Sequence, residues 1–172
     1  MLRRLRAIIN DQKGFTLIEM IVVVAIIGLI SGAVAGTVSQ VFVVNAQSTA
    51  RMTAVKQVES AVHWISRDAQ MAQIVLPSGG PGFPLNLSWK EWNNTTNNVS
   101  YALQNGELLR SHSINGSAPS QTVIAEHINT DTGMTEFNYD SGVVIFKLTA
   151  SVSGFRQASE TRVVKVIPRS GL

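Results

Sequence analysis

The sequence contains no cysteine, which excludes disulfide bonds and thiolate metal sites. No proline occurs before Pro77, so none interrupts a helix earlier in the chain. Charge is almost missing from one long segment, because Glu19 is the only ionisable side chain between Phe15 and Ala50. These absences predict one helix of up to 62 residues, from Phe15 to Leu76. Its first half is so apolar that we expect it to lie in a membrane or to be packed on all sides.

The chain has no net positive charge beyond its first 14 residues. The chain has 14 Lys and Arg residues against 11 Asp and Glu residues. Residues 1–14 hold four of the basic residues and one of the acids. The other 158 residues therefore carry ten charges of each sign, and composition offers no argument for nucleic-acid binding.

Patterns of common catalytic and cofactor sites are also missing. The sequence has no G-x-S-x-G, Walker, H-E-x-x-H or G-x-G-x-x-G motif. Its three histidines, His63, His112 and His127, lack metal-ligand spacing. We predict no catalytic residue, no metal site, no cofactor and no enzymatic activity, and an anchored enzyme is the weakest functional hypothesis.

Asp131, with Glu126 and Glu136 nearby, offers some oxygen ligands for calcium. A calcium ion needs six to eight oxygens, and this spacing matches no known calcium loop. A plain turn is the favoured interpretation.

The segment from Lys13 to Met20 joins a basic leader to the apolar run. A carboxylate in a membrane-length segment costs about 2.5–3.5 kcal/mol at mid-bilayer and less near an end. Glu19 is therefore expected to meet a cation.

This junction resembles the class III prepilin signal of type IV pilins and type II secretion pseudopilins. In that family, prepilin peptidase removes a basic leader after a glycine, the new N-terminal phenylalanine is N-methylated, and the fifth mature residue is glutamate. The resemblance implies that residues 1–14 are a leader cleaved between Gly14 and Phe15, and that Phe15 becomes N-methylated. It also implies subunit assembly in which Glu19 meets the Phe15 amine of a neighbour, an ion pair suited to low dielectric.

Three other interpretations of the N-terminus compete. Ala33-Val34-Ala35 looks like a signal-peptidase site, but Glu19 interrupts the apolar region and the run continues to Val44. Arg3-Arg4 lacks the usual neighbours of a twin-arginine signal. The third alternative is a plain membrane anchor in which Glu19 is incidental.

The distribution of charge predicts the membrane topology. Four Lys or Arg residues precede the apolar run and none follows before Arg51, so the N-terminus should stay cytoplasmic. We expect a single-pass protein of the bacterial inner membrane with an extracytoplasmic globular domain.

The predicted helix has two halves of different character. Residues 15–40 form the membrane or fibre-core half, and residues 41–76 form an amphipathic half. The apolar stripe of the second half consists of Val55, Val58, Val62, Ile65, Ala69, Ala72 and Leu76. In the first half, Gly28, Gly32 and Gly36 share one face, which favours close helix packing, although glycine is also common in membrane helices.

Strand patterns dominate residues 77–172, after a Pro- and Gly-rich turn at residues 77–82. Asn105-Gly106 and Asp140-Ser141-Gly142 are typical of hairpin turns. We predict an α+β fold in which the long N-terminal helix packs on an antiparallel sheet of about five to seven strands. The same pilin-like architecture is implied by the resemblance.

A fainter resemblance concerns the subtype. Ile65-Ser66-Arg67-Asp68, Tyr101-Ala102-Leu103 and Gly106 to Arg110 resemble J-type minor pseudopilins and W-type minor pilins. We expect Arg67 to be a surface charge and Asp68 to bond the following loop.

The resemblance implies a minor structural subunit that assembles into a pseudopilus for type II secretion, near its tip. The alternatives are a minor pilin of a type IV pilus or DNA-uptake fibre, and an anchored adhesive or ligand-binding domain with residues 91–98 as its contact surface. The expected partners are other pilin or pseudopilin subunits, prepilin peptidase, the inner-membrane assembly platform and membrane lipid.

Overall fold

The computed structural model describes residues 14–77, 82–131, 133–154 and 157–169. The predicted leader before Gly14 and the turn at residues 78–81 lie outside the described residues. One α-helix, α1, spans Leu17–Met71. The described strands are β1 (Ile74–Pro77), β2 (Leu85–Lys90), β3 (Thr96–Gln104), β4 (Glu107–Ile114), β5 (Ser120–Ala125), β6 (Glu136–Asp140), β7 (Val143–Val152) and β8 (Ala158–Val166).

Two compact units divide the chain, residues 1–44 and residues 45–172. The described part of the first unit is helical from Leu17 onward, and every residue from 14 to 42 is exposed. The second unit contains the rest of α1 and all the strands.

Every paired strand in the second unit runs antiparallel to its neighbours. Five strands form sheet A in the order β1-β2-β3-β4-β5, and three form sheet B in the order β6-β7-β8. Both sheets are therefore meanders, in which consecutive strands pair directly. An isolated bridge between Ile128 and Ala150 links the segment after β5 to β7. The expected α+β architecture is confirmed, with two sheets in place of one and eight described strands in place of five to seven.

The core lies between α1 and the inner faces of both sheets. Small side chains of α1 provide much of the helix surface there, and small side chains let strands approach a helix closely. The buried helix residues are Ala54, Val58, Ala61, Ile65, Ala69 and, just after the helix, Ala72. They share one core cluster with Leu85, Leu87, Val99, Tyr101 and Leu108 of sheet A and with Phe137, Val144, Phe146, Leu148 and Ala150 of sheet B.

The predicted helix extends five residues too far. It ends at Met71, and the Gln73 amide donates to the Ser88 carbonyl at 2.9 Å as the chain turns toward β1. Leu76, predicted above to belong to the helical stripe, lies in β1, where it pairs with Asn86 of β2 and is exposed. The apolar segment at residues 74–77 is short enough to form either a strand or a turn of helix. It forms a strand because it pairs with β2.

Both predicted hairpins are present. Asn105 and Gly106 have φ values of 52° and 80°, the left-handed conformation that a type I′ turn requires of both residues. Ser141 and Gly142 have φ values of 50° and 83° between β6 and β7. Asparagine and glycine tolerate this region best, which is why these turns were visible in the sequence.

Candidate functional site

The start of α1 is a capping box. Thr16 precedes the first helical residue, and its backbone amide and its hydroxyl each donate to Glu19 Oε2 at 2.9 Å. The Glu19 amide in turn donates to Thr16 Oγ1 at 3.4 Å. This reciprocal pattern satisfies amide groups that have no partner within a helix. The Glu19 carboxylate is thus bonded to its own turn.

The sequence reasoning missed this role of Glu19. The spacing Thr16-x-x-Glu19 is the standard signature of a capping box, but the carboxylate was considered only as half of an ion pair. Gly14 and Phe15 lie directly before the cap and are exposed. The structure therefore places the predicted cleavage and assembly residues within about one helical turn.

The described part of the first unit exposes apolar side chains along the helix. Large exposed side chains include Leu17, Ile18, Ile21, Val24, Ile27, Leu29, Ile30, Val34 and Phe42. By length and composition, α1 contains a segment able to cross a membrane. An exposed apolar helix of this length suits anchoring in lipid.

Gly28, Gly32 and Gly36 lie in a continuous part of α1. A Cβ atom added to any of them would meet no atom within 4 Å. Packing within the described chain thus does not require glycine at these positions. Whether the glycines face a neighbouring helix stays a prediction.

The second unit contains a buried charged cluster that joins the end of α1 to sheet A. Asp68 is 1% exposed, and its Oδ2 accepts hydrogen bonds from the Tyr101 hydroxyl at 2.6 Å and from Arg110 Nε at 2.7 Å. Arg110 Nη2 also donates to Asp68 Oδ1 at 3.2 Å. The Arg110 side chain is 14% exposed. Asp68 and Arg110 thus form a nearly buried bidentate pair, and Tyr101 donates a further hydrogen bond.

The environment of this cluster shifts the pKa of two members. Burial, together with the charge of Asp68 and the hydrogen bond to it, raises the pKa of Tyr101 well above its ordinary value. Burial alone would lower the pKa of Arg110, but the hydrogen bonds and charge of Asp68 outweigh burial and raise it. At neutral pH the tyrosine is therefore neutral and the arginine charged.

Trp64 packs beside the cluster. The guanidinium carbon of Arg110 lies 5.0 Å from the Trp64 ring centroid, and that of Arg67 lies 5.7 Å away. Both distances suit cation–π interactions. Arg67 is exposed as expected.

The expectation for Asp68 is wrong. It was expected to bond the loop after the helix, but its carboxylate instead contacts β3 and β4, because residue 68 lies on the buried face of α1. The fragments that carry the fainter resemblance contain all three partners, Asp68, Tyr101 and Arg110. The presence of all three residues in these fragments could have predicted the cluster, because a buried carboxylate needs polar partners from other parts of the chain.

A second polar chain lies on the inner face of sheet A. The buried Asn97 donates through Nδ2 to Glu91 Oε1 at 3.1 Å, and its Oδ1 lies 2.9 Å from His112 Nε2. The imidazole of His112 stacks on the Trp89 ring with centroids 6.3 Å apart. His112 is thus a packed, hydrogen-bonded residue of the sheet.

Metal ligands are not brought together in the part of the chain that the structure describes. No three His, Asp or Glu side chains are grouped there so as to hold a metal ion. The Asp131 backbone amide donates to Asn129 Oδ1 at 2.8 Å, and the Met134 amide donates to the Asp131 carbonyl at 3.0 Å. These bonds describe a turn.

Comparison with known proteins bears on the N-terminal segment. Residues 9–35 match the family model of the prokaryotic N-terminal methylation motif. No curated protein and no solved structure gives a significant match to the chain. The methylation motif heads a long apolar helix whose continuation packs on antiparallel sheets, which is the arrangement that the resemblance to type IV pilins and pseudopilins implies.

Proposed function

We propose that this protein is a structural subunit that prepilin peptidase cleaves after Gly14, that is held in the inner membrane by residues 15–40, and that assembles into a fibre. The observation that carries the proposal is the methylation motif at residues 9–35. Its role is structural: the apolar half of α1 anchors the subunit before assembly and packs against other subunits afterwards.

Charge distribution supports a cytoplasmic N-terminus. The basic residues of the leader precede the apolar run, and the next cation is Arg51. Positive residues flanking a span remain on the cytoplasmic side. The globular domain would then lie outside the inner membrane.

Glu19 is the proposed assembly residue. Cleavage after Gly14 creates an amine at Phe15, next to the Thr16 cap that holds the Glu19 carboxylate. In an apolar fibre core, the Phe15 amine of an adjacent subunit would neutralise this carboxylate. Removing one partner of a buried ion pair costs about 3–5 kcal/mol, which is enough to prevent incorporation.

The more specific proposal is a minor pseudopilin near the tip of a type II secretion pseudopilus. Its support is the J- and W-type pattern, whose fragments supply the Asp68, Tyr101 and Arg110 cluster. A minor pilin of a type IV pilus or DNA-uptake fibre would use the same signal and fold. Deleting the gene and measuring secretion, piliation and DNA uptake in its own host would separate these roles.

N-terminal sequencing and mass spectrometry of the protein from its native membrane test the processing step. We expect the mature chain to begin at an N-methylated Phe15. A chain that begins at any other residue would contradict the proposal.

Glu19→Ala tests assembly. We expect normal cleavage at Phe15 but a loss of fibre incorporation, measured in sheared fibre fractions. Glu59→Ala, which removes an exposed acid of the second unit, is the matched control and should assemble normally. If Glu19→Ala also assembles normally, an anchored adhesive or ligand-binding domain becomes the better hypothesis.

A further inference from the structure

A surface concavity of about 550 Å³ lies where α1 ends and β2 turns into β3. We call it the Trp92 site. Its lining includes Gln73, Trp89, Lys90, Glu91, Trp92 and Arg169.

A hydrogen-bonded turn holds Trp92 out in solvent. The Trp92 side chain is 97% exposed. On either side of it, the Glu91 amide donates to the Thr95 carbonyl at 2.9 Å, and the Asn94 amide donates to the Glu91 carbonyl at 3.0 Å. A large apolar ring presented by an ordered turn is typical of residues that dominate binding interfaces.

The Gln73 amide and the Glu91 carboxylate of the Trp92 site already have partners. Gln73 Oε1 accepts from the Lys90 amide at 3.0 Å, and Gln73 Nε2 donates to the Lys90 carbonyl at 3.4 Å. Glu91 Oε1 accepts from Asn97. These groups hold the site in shape and are not free for a ligand.

Two cations of the Trp92 site have no such partners. Within the described residues, neither the Lys90 ammonium nor the Arg169 guanidinium forms an ion pair. What the site offers is therefore positive charge beside an exposed aromatic ring.

We propose that the Trp92 site binds an acidic, extended segment of another fibre subunit, with an apolar side chain on the Trp92 ring and carboxylates at Lys90 and Arg169. The proposal rests on the function proposed above, which supplies a neighbouring subunit. A neutral glycan fits less well, because it needs the amide and carboxylate groups that are already bonded. A nucleic acid fits less well, because a phosphate chain is held by a row of cations and this site offers two.

Peptide titration of the full chain in detergent micelles tests the proposal. The probes are five-residue peptides, blocked at both ends, of sequence Gly-Asp-X-Glu-Gly with X as Leu, Phe or Tyr, and their neutral analogues Gly-Asn-X-Gln-Gly. Binding is followed by calorimetry and by tryptophan emission, which shifts to the blue when Trp92 leaves water. We expect the acidic peptides to bind and to shift the emission, and the neutral analogues to do neither.

Three variants locate the binding. Trp92→Ala should abolish the emission shift, and Lys90→Gln combined with Arg169→Gln should weaken binding about fivefold or more, because the double variant removes both ion pairs with the peptide. Lys165→Gln removes an exposed cation of β8 that does not line the site and should bind as the unchanged protein does. All these positions are exposed, and thermal unfolding confirms that each variant is folded.

Several results would overturn the proposal. Equal binding of neutral and acidic peptides, no binding of any peptide, or undiminished binding by the double variant would each contradict it. Tighter binding of a twelve-residue oligothymidylate would indicate a nucleic-acid site, and tighter binding of cellobiose a glycan site. The cleavage and Glu19→Ala experiments give independent results, so failure at the Trp92 site leaves the proposed assembly function intact.

Discussion

Asp68 of α1 and Arg110 of β4 are 42 residues apart in the chain, yet their side chains form two hydrogen bonds, at 2.7 and 3.2 Å. Both oxygens of the carboxylate meet the same guanidinium, which fixes the orientation of each group. Since Asp68 lies on α1 and Arg110 on β4, the pair sets the rotation of the amphipathic half of α1 against sheet A.

Breaking this pair should strongly destabilise the globular unit. Asp68→Ala leaves the Arg110 guanidinium almost buried without a counter-charge, and we expect a loss of about 3–5 kcal/mol in the free energy of unfolding. Chemical denaturation of the full chain in detergent, followed by circular dichroism, measures it.

Arg110→Ala should cost a similar amount, and the double variant should cost less than the sum of the two. Additive losses would show that the pair does not couple. Arg162→Gln is the control, because Arg162 forms an exposed pair with Glu160 at 3.3 Å and should change stability by less than about 1 kcal/mol.

Tyr101 should make the protein sensitive to alkali. Its pKa is raised in the folded state, so its contribution to stability is complete below the unfolded pKa of about 10. Above that pH the unfolded chain loses the phenolic proton while the folded chain keeps it, and stability falls as pH rises. In Tyr101→Phe, the free energy of unfolding should therefore fall less steeply between about pH 9 and pH 11.

The quantity compared is the slope of the free energy of unfolding against pH in each variant and in the unchanged protein. Lysines titrate in the same pH range in all of them, so only the difference between slopes reports on Tyr101. Tyr139→Phe removes a tyrosine of β6 that is 38% exposed and should keep the slope of the unchanged protein. Equal slopes for Tyr101→Phe and the unchanged protein would refute the prediction.

Gly32→Leu should impair assembly without impairing membrane insertion. Apart from its neighbours along the helix, no atom of the described residues lies within 4 Å of a Cβ atom added at Gly32, so this part of the chain leaves room for a side chain, whereas a neighbouring helix packed on that face would not. We expect incorporation into fibres to fall about tenfold, the equivalent of about 1.4 kcal/mol, while the membrane fraction retains normal amounts.

Ala33→Leu is the matched control for Gly32→Leu. It makes a similar enlargement about 100° around the helix, away from the glycine face. If both substitutions reduce incorporation equally, the glycines have no special part in packing.

Sequence patterns predicted the elements that depend on local chemistry. The absence of proline and charge indicated the long helix, and Asn105, Gly106 and Gly142 marked hairpins because asparagine and glycine tolerate positive φ. The junction at Gly14, Phe15 and Glu19 indicated the resemblance to type IV pilins and pseudopilins. The Thr16-x-x-Glu19 spacing indicates the capping box in the same way, although the sequence analysis did not include it.

Other features depended on contacts between distant residues. Ile74–Pro77 became β1 because β2 offered a pairing partner, and the strands divided between two sheets, which no local pattern could show. Residues 91–98 were predicted as a contact surface for an adhesive domain, but only the fold placed Trp92 of that segment beside Lys90 and Arg169.

By itself, the sequence determined that the chain has a class III signal, an apolar helix and a strand-rich remainder, because short motifs and periodicities depend on neighbouring residues. Only the tertiary structure decided that Asp68 is buried with Tyr101 and Arg110. A buried charge is stable only where the fold brings partners to it from other elements. These partners are distant in the sequence and become neighbours only in the folded protein.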